Sequence, residues 1–105
     1  MSKEKLSRDE WLREEARLII LRMLGEEPNW SLHSPIILRE LRERWMVTRD
    51  RPWLHIELDY LAELGAISIV NVETIKIATL TERGKRHIDG EIVLTGVKRP
   101  SQQVL

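Results

Sequence analysis

The chain has 105 residues, room for one small domain, and its 17 basic and 17 acidic side chains cancel, so any nucleic-acid binding has to come from a local patch. Cysteine is absent, which excludes disulfides and thiolate metal sites. The opening "MSKEKLSRDEWLREE" lacks the apolar segment of a secretion signal, and the longest apolar runs, "LII" at 18–20 and "PIIL" at 35–38, are too short to span a bilayer.

The first expected helix is 8–24, "RDEWLREEARLIILRML". Ser7 or Asp9 can cap it, and acidic side chains crowd its first turns, where the helix dipole favours them. Trp11 or Leu12, Ala16, Ile19 or Ile20, and Met23 recur at helical spacing, and Gly25 ends the run. "EEPN" at 26–29 is a turn. "SPIILRELRERWMV" at 34–47 is the second helix, with Ser34 as the expected cap and Pro35 preset for the first turn. Ile37 or Leu38, Leu41 and Trp45 form its expected buried stripe. Arg39/Glu43 and Glu40/Arg44 read as i,i+4 pairs on a solvated face.

A short break, "VTRDRP", precedes the third helix. Pro52 fits only a first turn, so the cap lies within Thr48 to Asp50. Leu54, Leu58 and Leu61 define the inner face, with Gly65 as the stop. The brevity of the break fits a helix-turn-helix. After Gly65, Ile67/Ile69 and Ile75/Ile77 alternate with polar residues around Asn71-Val72-Glu73, the pattern of a hairpin. Leu80 then leads into "TERGKRHIDG" with no loop. Thr81 offers the cap of a last short helix, and Gly84 inside it costs about 1 kcal/mol against alanine, which calls for a packing reason or a frayed helix. A strand at 91–94 and a loose end are expected after that.

Three helices, a hairpin and a helix are the order of a winged helix. "LTERG" resembles the Leu-Thr-x-x-Gly step of MarR/ArsR-like winged helices, and "LDYLAELGAI" at 58–67 resembles the end of their recognition helix. "GVKRPS" at 96–101, a dozen residues on, resembles the tail of a small ArsR-like winged-helix family of Mu-like phages and prophages. That resemblance implies a phage-encoded protein among head and packaging genes, acting in the cytoplasm of a bacterial host. "TRDRPWLHIE" is slightly longer here than the family's recognition-helix start. Without cysteine, metal sensing of the ArsR kind does not carry over.

The expected fold class is therefore α+β, a winged helix-turn-helix with a three-helix bundle, a hairpin wing and a short C-terminal helix. Residues 1–95 form the expected domain and 96–105 a flexible tail. The expected function is binding of double-stranded DNA, in transcriptional regulation or DNA packaging. The candidate contacts are Arg49, Arg51 and His55 at the start of the third helix, Lys76 on the wing, Ser34 with the amides of the second helix, and Lys98 and Arg99 in the tail. Opposing this, 49–64 holds two basic and four acidic residues, and acidic groups weaken a phosphate contact. Basic charge is in excess at 81–105, five against three.

The alternative is a protein–protein adaptor in phage head assembly on the same fold. Trp11, Trp53 and Tyr60 are its candidate interface rings, with Trp30 a further one, whereas Trp45 is expected in the core. A homodimer through the first and last helices is the expected partner. No enzyme is expected: there is no nucleophile elbow and no glycine-rich phosphate loop. No cofactor or metal is expected either, because the three histidines are scattered and only His55 and Asp59 share an i,i+4 spacing.

Overall fold

The computed structural model describes residues 6–100. Ser7 opens helix α1 (Arg8–Gly25): its hydroxyl accepts from the Glu10 amide at 3.0 Å, and the Glu10 carboxylate accepts from the Ser7 amide at 3.2 Å. This reciprocal box satisfies two orphan donors, so Ser7 and not Asp9 is the cap. A turn and a three-residue strand, β1 (Ser31–His33), lead into α2 (Ser34–Trp45) and α3 (Arg51–Glu63). Strands β2 (Ile67–Val72) and β3 (Ile75–Leu80) follow, then α4 (Glu82–Ile88). The fold is α+β, with an antiparallel sheet in the order β1-β3-β2.

The core lies between α1, α2, α3 and the inner face of the sheet. Ile20, Leu21, Leu24, Ile37, Leu41, Leu54, Leu58 and Leu61 lose essentially all contact with water, each stabilising the fold by roughly 1.5–3 kcal/mol. The three leucines expected on the inner face of α3 are all among them. Trp45 is not in the core. It is 43% exposed, with Arg44 stacked 5.6 Å from its ring centroid. It is the last residue of α2, and the chain leaves the helix directly after it through Met46, left-handed at φ 58°.

β1 was not legible as a strand. It pairs with β3 in the register Ser31↔Thr79, Leu32↔Ala78, His33↔Ile77. A 2.6 Å contact between the Ser31 and Thr79 hydroxyls reinforces the pairing. The hairpin tip is also displaced. β2 runs through Asn71 and Val72, and the turn is Glu73-Thr74, with Glu73 at φ 57°.

The loop-free passage from β3 to α4 turns on Thr81. Its hydroxyl accepts from the Gly84 amide at 3.1 Å and donates to the Gly65 carbonyl at 2.6 Å. Its amide donates to the Ala66 carbonyl at 3.0 Å. Cap and crossover are therefore one residue. The packing reason for Gly84 is here as well: a Cβ on it would lie 2.3 Å from the Ala66 oxygen and 2.7 Å from Leu80 Cδ1.

Residues 91–94 form no strand. The segment from Thr95 is held by scattered polar contacts instead of a ladder. His87, fully buried, accepts at Nδ1 from the Leu94 amide at 3.1 Å, so its proton is on Nε2 and is donated to the Lys98 carbonyl at 2.9 Å. Tyr60 donates to the Thr95 carbonyl at 2.8 Å, Arg17 to that of Gly96 at 2.8 Å, and the Lys98 amide to the Glu14 carbonyl at 3.2 Å. Gly96 is required by closeness, since a Cβ there would fall 2.0 Å from the Tyr60 hydroxyl oxygen. Packing thus runs through the buried Val97, past the boundary expected at 96. The rest of the expected tail, 101–105, lies outside the described residues.

Candidate nucleic-acid interface

Asp50 caps α3, its carboxylate accepting from the Trp53 amide at 3.0 Å, with Pro52 in the first turn. This aims Arg51 outward at the same end of the molecule as the start of α2 and the hairpin turn. A groove of about 480 Å³ separates the three. Ser34, Pro35 and Ile36 of α2 line it, with Arg39, Arg42, Arg51, Thr74 and Ile75. His33 stands at the cap position of α2 and makes no side-chain cap bond, so the first-turn amides keep the positive end of the helix dipole open to an anion.

Ser34 has a different role from the one expected. It is the first helical residue, not the cap, and it is buried. Its hydroxyl oxygen accepts from the Lys76 amide at 3.1 Å, which clips the hairpin to α2. Arg39 was read from the sequence as the i,i+4 partner of Glu43 on a solvated face. Yet Arg39 makes no ion pair among the described residues, and Arg42 reaches Glu43 only at 3.9 Å. Arg51 is likewise free of ion pairs among the described residues. The signal that would have found Arg39 is its i,i+3 spacing from Ile36 and Arg42, which sets all three along one side of α2.

A second, polar depression adjoins the first and is lined by Arg51, His55, Asn71, Glu73, Thr74 and Lys76. Lys76 lies 3.4 Å from Asp59 and donates to Asn71 at 3.1 Å. His55 is half-buried, and its Nε2 is enclosed without a hydrogen-bond partner among the described residues. Burial holds its pKa below the ordinary 6.5, and the charges of Lys76 and Arg51 push the same way against Asp59. His55 and Asp59, one turn apart on α3, make no hydrogen bond to each other; Asp59 turns to Lys76.

The acidic count on α3 also looks different in three dimensions. Glu57 faces inward, fully buried, where it accepts from Arg13 and, at 2.6 Å, from Arg17. Asp50 is committed to the cap, and Asp59 to Lys76. Glu63 stands at the far end of the helix. The first turns of α3 therefore present positive charge despite the net deficit along the helix.

Three candidate contacts fall elsewhere. Arg49 turns toward α1, stacking 5.7 Å from the Trp53 centroid and lining an apolar groove with Leu6, Arg8, Asp9, Trp11 and Leu12. Lys98 is drawn onto α1 by an ion pair with Glu15 and sits 6.0 Å from the Trp11 centroid. Arg99 is exposed next to it in the chain.

Two of the three interface rings are used within the molecule. Trp53 is only 9% exposed, with Arg13 5.6 Å from its centroid on α1. Tyr60 carries the Arg17 guanidinium at 3.8 Å and is bonded to Thr95. Both were expected at an interface with another protein; α1 and the C-terminal segment cover them instead. Trp11 remains 53% exposed beside Leu6. Trp30 is half-buried against the core, held in a left-handed turn at φ 61° whose carbonyl accepts from the Leu80 amide.

Fold and groove together define a small α+β protein in which Arg39 and Arg42 of α2 and Arg51 at the start of α3 line one groove. Among the described residues no acidic, His or Cys group of three is arranged to hold a metal, and no helix is long and apolar enough to cross a membrane. The chain is 33% identical over 89 residues to a protein of Escherichia phage Mu described as uncharacterized protein gp26, covering 85% of this chain and 91% of that one. The chain belongs to the family of that Mu phage protein. No family model and no solved structure matches it.

Proposed function

We propose that this protein is an ArsR-like winged helix-turn-helix of a phage or prophage that binds duplex DNA in the bacterial cytoplasm, in transcriptional regulation or DNA packaging. The element order, with β2 and β3 as the wing and α3 as the recognition helix, supports the reading. One observation carries it: Arg39 and Arg42 from one side of α2 and Arg51 from the start of α3 line a single groove together with the uncapped first residues of α2. That arrangement suits a phosphate, which takes guanidinium and helix-terminal amide donors together. The half-buried His55 and Lys76, the latter paired with Asp59, adjoin this groove on the side of the wing. The protein is a binding module in this reading, with no catalytic role.

A gel shift on a mixed-sequence duplex over a salt series tests it. Affinity falls steeply as salt rises, and Arg39→Ala and Arg51→Ala each flatten the log–log slope by about one unit. Arg49→Ala changes the slope less, because Arg49 is stacked on Trp53 and turned toward α1. Absence of a shift at low salt overturns the reading.

A second reading, a protein-binding adaptor in head assembly, draws on Trp11. An indole more than half exposed beside Leu6 is an anchor for another protein surface. The same patch suits a second copy, so we propose the homodimer contact through α1. Trp11→Ala then reduces the solution mass measured by light scattering without altering the salt slope per protomer.

A further inference from the structure

α3 carries one exposed feature that the phosphate contacts leave unused. At about 100° per residue, Pro52, Ile56, Asp59 and Glu63 line its outer side, opposite the buried Leu54, Leu58 and Leu61. Ile56 is 57% exposed. It stands in the middle of the helix, one turn beyond Pro52, which is also exposed. The side chain next to it toward the hairpin is His55, beside the charged pair of Asp59 and Lys76.

An exposed isoleucine offers no hydrogen bond to a base edge or a phosphate. In the major groove of DNA the one apolar feature is the C5-methyl group of a pyrimidine, carried by thymine. The remaining outward groups of the helix sort the other way. Arg51 suits phosphate, and Asp59 is held by Lys76 and so is a poor acceptor for cytosine.

We propose that Ile56 is a specificity-determining residue that packs on a thymine methyl, so that the preferred duplex has an A·T pair opposite the centre of α3. This rests on the DNA-binding reading above. It concerns which base is chosen and adds nothing to the phosphate contacts.

Two alternating copolymers test it: poly(dA-dT) and poly(dA-dU) duplexes, which differ only in the C5-methyl. Each is titrated with the full chain at low salt by fluorescence anisotropy. The wild type binds the thymine polymer tighter by about threefold to fivefold, the worth of burying one methyl group. Ile56→Ala loses the preference, and Ile56→Val keeps part of it. Both substitutions are at an exposed position and leave the core untouched. Equal wild-type affinity for the two polymers overturns the methyl contact while leaving DNA binding in place. A preference that survives in Ile56→Ala overturns it as well, because duplex shape then carries the difference. Binding to neither polymer removes the DNA-binding reading and this inference together.

Discussion

Replacing Gly84 by alanine sets helix propensity against packing, with opposite signs. Propensity alone favours the alanine by about 1 kcal/mol in a helix interior. The structure places the new Cβ 2.3 Å from the Ala66 carbonyl oxygen and 2.7 Å from Leu80 Cδ1. The leucine tip can rotate away. The oxygen cannot, because it is backbone and accepts from the Thr81 amide at 3.0 Å. Relief therefore requires α4 to back away from the start of β2 by about an ångström, loosening the contact with Leu80. Overpacking of this kind costs about 1–3 kcal/mol, and because α4 is only seven residues long the propensity gain is at the low end. The net expectation is a loss of about 1–2 kcal/mol, near 4–8 °C in Tm per kcal/mol for a domain of this size. Urea unfolding followed by tryptophan fluorescence measures it. Gly90→Ala is the control: nothing lies within 4 Å of its Cβ, but its φ of +79° is left-handed, so it loses only the conformational term of about 1 kcal/mol. A Gly84→Ala protein as stable as the parent, or more so, would show that α4 is not seated as described.

Glu57→Ala leaves Arg13 and Arg17 without the carboxylate that joins α1 to α3. Their side chains are 27% and 11% exposed against 0% for Glu57, so Arg13 recovers some hydration and the loss falls near the low end of the buried-pair range, about 3 kcal/mol; a change below about 1 kcal/mol in urea would show the pair contributes little. His55 supplies a pH dependence. Its pKa is lowered in the fold by burial, so below the ordinary 6.5 the unfolded chain takes up the proton first and stability falls as pH drops. His55→Gln flattens that arm of the curve, which begins as pH falls through the ordinary 6.5; superimposable wild-type and variant arms would place His55 in solvent.

The local turning points were written in neighbouring residues. Ser7 with Glu10, Thr81 before Glu-Arg-Gly, and the spacing of Leu54, Leu58 and Leu61 specify caps and a buried face through contacts three or four positions apart. The C-terminal hydrogen bonds were not legible, because Arg17 to Gly96 and Tyr60 to Thr95 join residues far apart in the chain. β1 escaped for another reason: three residues are too few to show an alternation, and only pairing with β3 makes them a strand.

The candidate site divides in the same way. Arg51 and Lys76 could be chosen from position alone, and the sequence by itself determined that any anion contact would be local, since the net charge is zero. Tertiary packing decided which charges remain available. It turned Glu57 inward, drew Arg49 and Lys98 toward α1, and brought Arg39 and Arg42 of α2 beside Arg51 of α3. A charge acts over a few ångströms of space and not over positions in a chain, so a residue count along one helix could not say which face it serves.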